Sequence, residues 1–241
     1  MRRPARTGRE PPERPEEFGV EQAAQLARRA RGSIWLIVAV LVIGGIAVTA
    51  RAGIQARKGP LVKPAHTLGP GQGEVLGSPS APVVVEEYAD FQCPVCADFQ
   101  RTVGPTVRQL VDQGRIRFVF HQYPVLGRES VLAANAATCA GDAGKFWPYH
   151  DALFAGQAPE NSGALTADRL VQLGARVGVT GQAFTSCVRA GTYEPWLRQV
   201  TNEASVRGVN GTPTIYVDGR RTDDAGTPAG LLAAVADADH R

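Results

Sequence analysis

Apolar positions along this chain change character three times. Residues 1–32 are dominated by Arg, Glu and Pro and hold few large apolar side chains. Residues 1–18 cannot bury enough surface to offset chain entropy and read as disordered, with a short basic helix over residues 21–31. Residues 33–50, SIWLIVAVLVIGGIAVTA, are an uncharged run of 18 residues. As a helix this run spans about 27 Å, close to the hydrocarbon thickness of a bilayer. Residues 51–76 are punctuated by Gly, Pro and Ser and read as a linker. From residue 77 the pattern becomes that of a folded domain. The β-branched run VVVEEY at 83–88 predicts a strand, and IRFVFHQ at 116–122 alternates as a second. Between them a helix opens near Cys93 and Pro94 and runs to about Gln113, kinked near Pro105 and ended by Gly114. Helical periodicity then covers residues 129–155, 166–177, 181–190 and 193–208. TIYV at 214–217 predicts a third strand, Asp218-Gly219 a hairpin turn into Arg220-Arg221, and residues 228–236 a last helix opened by Pro228. The order β-α-β, helical insert, β-β-α predicts an α/β domain with helices on both sheet faces and a separate helical lobe.

Composition sharpens this division. The chain has 241 residues and a formal net charge of +3. Residues 1–64 hold 12 Lys and Arg against 5 Glu, while residues 65–241 hold 14 against 18 acidic residues. The basic excess therefore belongs to the N-terminal extension, and no basic face marks the folded part as a nucleic-acid binder. A soluble core helix rarely stays apolar all round for five turns, and a signal peptide has a shorter leader than the 32 residues found here. Ala50-Arg51-Ala52 does resemble a cleavage site, yet a membrane anchor over residues 33–50 accounts better for the length. Lys and Arg are nearly balanced beside the run, so they orient it weakly. All four cysteines, Cys93, Cys96, Cys139 and Cys187, follow it, which suits an oxidising compartment. The expected arrangement is single-pass, with a cytoplasmic basic tail and an extracytoplasmic domain.

The chemistry concentrates in Cys93-Pro94-Val95-Cys96. A thiolate is the nucleophile in disulfide exchange, and free N–H groups at a helix N-terminus lower the pKa of a thiol placed there. Cys93 is thus the predicted attacking thiol. Cys96, one turn further, is shielded and positioned to resolve a mixed disulfide. Neither intervening residue is charged, so helix-end electrostatics must stabilise the thiolate. A structural zinc site would need two close ligand pairs, but Cys139 and Cys187 stand alone, and Ala97 excludes haem attachment. His121, Trp147 and His150 read as packing residues.

Three segments in order and spacing, YADFQCPVC at 88–96, GKFWPYHDALF at 144–154 and GVNGTPT at 208–214, resemble the DsbA-like branch of the thioredoxin superfamily over about residues 77–239. The resemblance implies a thioredoxin fold with a helical insert at about 127–190. It implies that Pro213 is a cis-proline beside the CxxC, with the Thr212 backbone offered to an extended substrate chain. It matches Glu87 to a buried acid beneath the active site, where a carboxyl of raised pKa shuttles the Cys96 proton. Strand alternation sends Glu86 and Glu87 to opposite faces, so only one of them is expected to be buried. It also implies a structural Cys139–Cys187 disulfide, which would add on the order of 3–4 kcal/mol. The expected activity is protein thiol oxidation. The disulfide is donated to reduced exported proteins and regenerated by a membrane partner of the quinone-linked kind, with no bound cofactor or metal. A reductase or isomerase on the same site is the alternative, and a thioredoxin-fold chaperone whose thiols are incidental is the alternative of another class.

Overall fold

The computed structural model describes residues 61–67 and 73–240. The basic tail, the apolar run at 33–50 and most of the linker lie outside the described residues. Among the described residues no helix is long and apolar enough to cross a membrane.

Five strands form one mixed sheet: β1 (Glu74–Leu76), β2 (Val83–Ala89), β3 (Ile116–Gln122), β4 (Thr214–Val217) and β5 (Arg220–Arg221), in the order β1-β3-β2-β4-β5. β2 lies parallel to β3 and antiparallel to β4, in the register Glu87↔Phe120 and Glu87↔Ile215. The parallel pair requires a crossover. It is supplied by α1 (Pro94–Thr102) and α2 (Gly104–Asp112). The single kinked helix expected there is two helices broken at Val103, because Pro105 has no N–H to continue the ladder and instead sits in the first turn of α2.

The helical lobe follows as α3 (Arg128–Gly141), α4 (Phe146–Ala155), α5 (Ala167–Arg176), α6 (Gln182–Ala190) and α7 (Glu194–Val206). The continuous periodicity over 129–155 is interrupted because Gly144 adopts φ +67°, a left-handed conformation that ends a helix. α3 is the lobe's central helix. Ala133, Ala134, Ala136, Ala137 and Ala140 are all buried, and their small side chains let α4, α6 and α7 approach closely. Cys139 on α3 is disulfide-bonded to Cys187 on α6, with the Cα atoms 5.9 Å apart. α8 (Pro228–Asp239), capped by the Thr227 side chain on the Gly230 N–H, closes the domain against β2 and β4.

β1 is an addition to the sequence reading, which placed residues 51–76 in the linker. Three residues carry too little periodicity to signal a strand, and this one exists by pairing antiparallel with the edge of β3. Trp147 of α4 donates its indole N–H to the Val75 carbonyl at 3.1 Å, and His66 joins Glu74 at 3.0 Å. The lobe and the chain preceding the domain are thereby tied to the sheet.

The central strand β2 is covered on both faces, which changes what alternation means. Val83, Val85 and Ala89 face the main core with Ile116, Phe118, Phe120, Ile215 and Val217, and alternation puts Glu87 on the same face. Tyr88 faces a smaller core with Tyr123, Ala204, Val209 and Tyr216. Glu86 and Glu87 therefore do point to opposite faces, but both are buried, at 3% and 0% exposure. The expectation that only one would be buried is corrected by the second helical layer.

Candidate active site

Cys93 is the N-cap of α1, in extended conformation at φ −71°, ψ 117°, and Pro94 takes the first helical position. The cap has no side-chain hydrogen bond, which leaves the first-turn N–H groups directed at the Cys93 sulfur. The loop feeding the helix is held from its own side by Asp90. Its carbonyl accepts from the Cys93 N–H at 3.0 Å. Its carboxylate accepts from the Gln92, Val125 and Leu126 N–H groups at 2.9, 2.8 and 2.9 Å.

The two thiols, both free, occupy unlike surroundings. Cys93 is 6% exposed beside the solvent-facing Pro94 and Val95, and its Sγ–H lies 3.4 Å from the Thr212 carbonyl. Cys96 has no exposure. Hydrogen bonding from the Cys96 thiol, opposed by burial and reinforced by the Thr212 side chain and the Cys96 and Val95 N–H groups, brings the Cys93 thiol down to about 6. Burial, then the hydrogen bond to Cys93 and the charge of Glu87, push the Cys96 thiol far above its ordinary value. At neutral pH the first sulfur is a thiolate and the second a thiol.

Thr212–Pro213 is a cis peptide bond at the entrance to β4, which places Thr212 against Cys93. Beneath the helix, Glu87 Oε2 accepts from Gln100 Nε2 of α1 at 2.6 Å, and its Oε1 has no partner. Burial raises the Glu87 carboxyl to about 8, the Gln100 bond opposing the rise and charge at Cys93 adding to it.

Other groups singled out from the sequence have partners other than the thiols. His121 stacks on Tyr88 on the far face of the sheet, with ring centroids 4.2 Å apart, and its Nε2 pairs with Glu86 at 2.9 Å. His150 is enclosed by Phe91, Phe120, Phe146, Trp147 and Phe154. Among the described residues no three His, Cys, Asp or Glu side chains converge as metal ligands.

What sequence reasoning missed is a set of polar ties between the lobe and the thiol loop. Gln157 donates to the Phe91 and Cys93 carbonyls at 2.8 and 3.0 Å. Gln92 donates to Ser130 at 2.8 Å and accepts from the Asn161 N–H at 2.7 Å. Asp90 and Gln92 lie inside the quoted motif, but nothing in the residues themselves shows that they bind loops 30 to 70 positions away.

A low-pKa thiol at a helix N-terminus, a buried second thiol one turn on and a cis-proline loop against the first define a thiol–disulfide oxidoreductase. The thioredoxin family model matches residues 70–237. The chain belongs to that family, in its DsbA-like branch. It is 34% identical over 172 residues to the Na(+)/H(+) antiporter NhaA 1 of Salinispora arenicola, covering 70% of this chain but only 25% of the antiporter. It is 28% identical to the probable disulfide bond formation protein D of Bacillus anthracis, over 60% of this chain and 69% of that protein. Among solved structures, the reduced disulfide bond oxidoreductase DsbG of Mycobacterium tuberculosis superposes with a TM-score of 0.62 at 30% identity, covering 75% of this chain and 93% of that one.

Proposed function

We propose that the chain is an extracytoplasmic oxidase that donates the Cys93–Cys96 disulfide to reduced exported proteins. The observation that carries this reading is the opposed environment of the two sulfurs, one stabilised as thiolate at the rim and one kept as thiol in the interior. A substrate thiolate attacks Cys93 Sγ, the Cys93–Cys96 bond breaks, and Cys96 leaves with the electron pair. Glu87, protonated near neutral pH, passes its proton to the departing Cys96 sulfur and becomes a carboxylate. A second substrate thiolate then attacks the substrate sulfur of the mixed disulfide and Cys93 leaves as a stable thiolate. The substrate dithiol is oxidised by two electrons and the protein disulfide is reduced by two. A stabilised Cys93 thiolate favours the reduced protein and so makes its disulfide the stronger oxidant. The cis Thr212–Pro213 turn sets a backbone edge beside Cys93 for an extended substrate segment. The similarity to a disulfide bond formation protein supports this direction of flow. The run at residues 33–50 anchors the domain near a membrane re-oxidising partner of the quinone-linked kind. The Cys139–Cys187 bond is structural.

The test uses the oxidised full-length chain and a reduced peptide with two cysteines. The peptide is expected to acquire an intramolecular disulfide as the protein becomes a dithiol, and Cys93→Ser to abolish the transfer. With Cys96→Ala, the peptide activated as a mixed disulfide is expected to be trapped on Cys93. Failure of the oxidised wild type to transfer its disulfide, with the reduced chain instead reducing the oxidised peptide, would show a reductase.

A further inference from the structure

Glu87 is completely buried, yet a proton donor must be recharged. Its surroundings leave few routes. The residues paired beside it on β3 and β4, Phe120 and Ile215, carry no charge. From α1 the titratable groups facing it are Cys93 and Cys96. The remaining polar neighbour is Gln100, one turn beyond Cys96, whose Nε2 donates to Glu87 Oε2 at 2.6 Å. Gln100 is itself only partly buried. It lines a surface groove of about 560 Å³ between α1, α2 and α4, whose charged and titratable walls are Arg101, Arg108, His150 and Asp151. Arg108 is paired with Asp151 at 2.6 Å and Arg101 with Asp98, so no unpaired cation is directed from these walls at the carboxyl.

A carboxylate has about four acceptor positions, and Glu87 receives one donor here while Oε1 receives none. That is weak support for a buried charge. An amide has a property that a lysine or a leucine at this position would lack. It donates through its NH2 group to a carboxylate and, turned over, accepts through its carbonyl from a carboxylic acid. Lysine would hold Glu87 ionised, and leucine would leave its carboxyl without a hydrogen bond in either state.

We infer that Gln100 is a positioning residue for proton transfer at the thiol pair: its amide is the polar link between the buried Glu87 carboxyl and the groove, and it pairs with both protonation states of that carboxyl. This rests on the reading of Glu87 as the group that protonates Cys96. In the forward step the proton leaves the Glu87 carboxyl for the Cys96 sulfur, and the Gln100 amide turns its NH2 to the new carboxylate. When a proton from water in the groove restores the acid, the amide turns back.

The experiment follows the rate at which a reduced peptide opens the Cys93–Cys96 disulfide of the full-length chain between pH 5 and 10. Wild type is expected to show an inflection that Glu87→Gln lacks. Gln100→Leu is expected to move that inflection up, and Gln100→Lys to move it down, each by about one pH unit or more. The double variant Gln100→Leu/Glu87→Gln is expected to reproduce the Glu87→Gln profile. Two substitutions of opposite sign keep the test open if either fails to fold. Should both Gln100 variants keep the wild-type midpoint while Glu87→Gln loses it, Gln100 has no part and the role of Glu87 stands. Should Glu87→Gln keep the inflection, the proton-donor reading itself falls and this inference with it.

Discussion

The protonation asymmetry of the two thiols has a direct consequence for the reduction potential. In the reduced protein the Cys93 thiol ionises near pH 6, while Cys96 stays protonated throughout the neutral range. Below that pH, reduction of the disulfide takes up two electrons and two protons, and the potential falls by about 59 mV per pH unit. Above it only one proton is taken up, and the slope halves to about 30 mV. The sign follows from which form is stabilised. Losing the Cys93 proton favours the reduced protein, so at pH 7 the domain is a stronger oxidant than one with an unperturbed thiol. One pH unit above the midpoint gives about tenfold more thiolate than thiol, equivalent to about 30 mV, or about 15–30 mV after solvent screening at the open side of the sulfur. Glu87 adds a second bend. Burial is the chief cause that raises its pKa to about 8, and charge at Cys93, present in the reduced form and lost on oxidation, adds to it. Near pH 8, reduction therefore draws a further fraction of a proton onto Glu87 and the slope rises slightly. Equilibration of Glu87→Gln with glutathione buffers from pH 5 to 8 isolates the first bend, and wild type measured in parallel shows both. A constant slope of about 59 mV per unit across that range in Glu87→Gln would refute the claim that Cys93 is ionised at neutral pH.

Two further outcomes concern stability. Replacing both Cys139 and Cys187 by Ser removes a bond closing 48 residues and is expected to cost about 4 kcal/mol on the chain-entropy scale, read as a lowered urea midpoint; an unchanged midpoint would show that the lobe does not depend on it. Arg207→Ala strands the buried Glu86 carboxylate and removes a guanidinium 4.3 Å from the Tyr216 ring centroid, which is expected to cost about 2–3 kcal/mol given the partly exposed arginine. Because the folded Glu86 pKa of about 2 lies below its ordinary 4.5, this pair's stabilisation is present above pH 4.5 and is lost as pH falls toward 2. Urea titrations of wild type should weaken over that window, and the variant should show a smaller loss there.

The succession of strands β2 to β5 and of helices along the chain was legible because its signals are local. A β-branched run such as residues 83–88, a proline opening a helix at Pro228 and an Asp-Gly turn before Arg220 act within a few residues of themselves. The thiol pair was legible for the same reason, since two cysteines three apart at a helix start carry their chemistry in their spacing. What stayed hidden depends on partners far along the chain. β1 is a strand only because β3 offers it an edge. Gln157 gives no local sign that it will hold the Cys93 carbonyl from 64 residues away. The break at Val103 rather than at Pro105 follows from the first-turn preference of proline, a signal that was present but read as a kink within one helix.

Glu86 and Glu87 show why residue type and burial together do not decide what a side chain can do. They are consecutive, both buried and on the same central strand, Glu87 the more deeply. Besides depth, what separates them is the number and charge of the donors each face supplies. Glu86 receives both ends of the Arg207 guanidinium at 2.8 Å and a His121 contact at 2.9 Å, which outweigh burial and bring it down to about 2. Glu87 receives one neutral amide, which does not outweigh burial, and it rises to about 8. A carboxyl at the first value stays charged through the physiological range and ties Arg207, at the end of α7, and His121 of β3 to the central strand. One at the second value gains and loses a proton there. The difference originates at Arg207, the residue closing α7, and in the absence of a cation facing Glu87 from α1. An arginine or lysine at Gln100 would hold the second carboxyl ionised like the first, and under the proposed mechanism the buried sulfur above it would lose its acid.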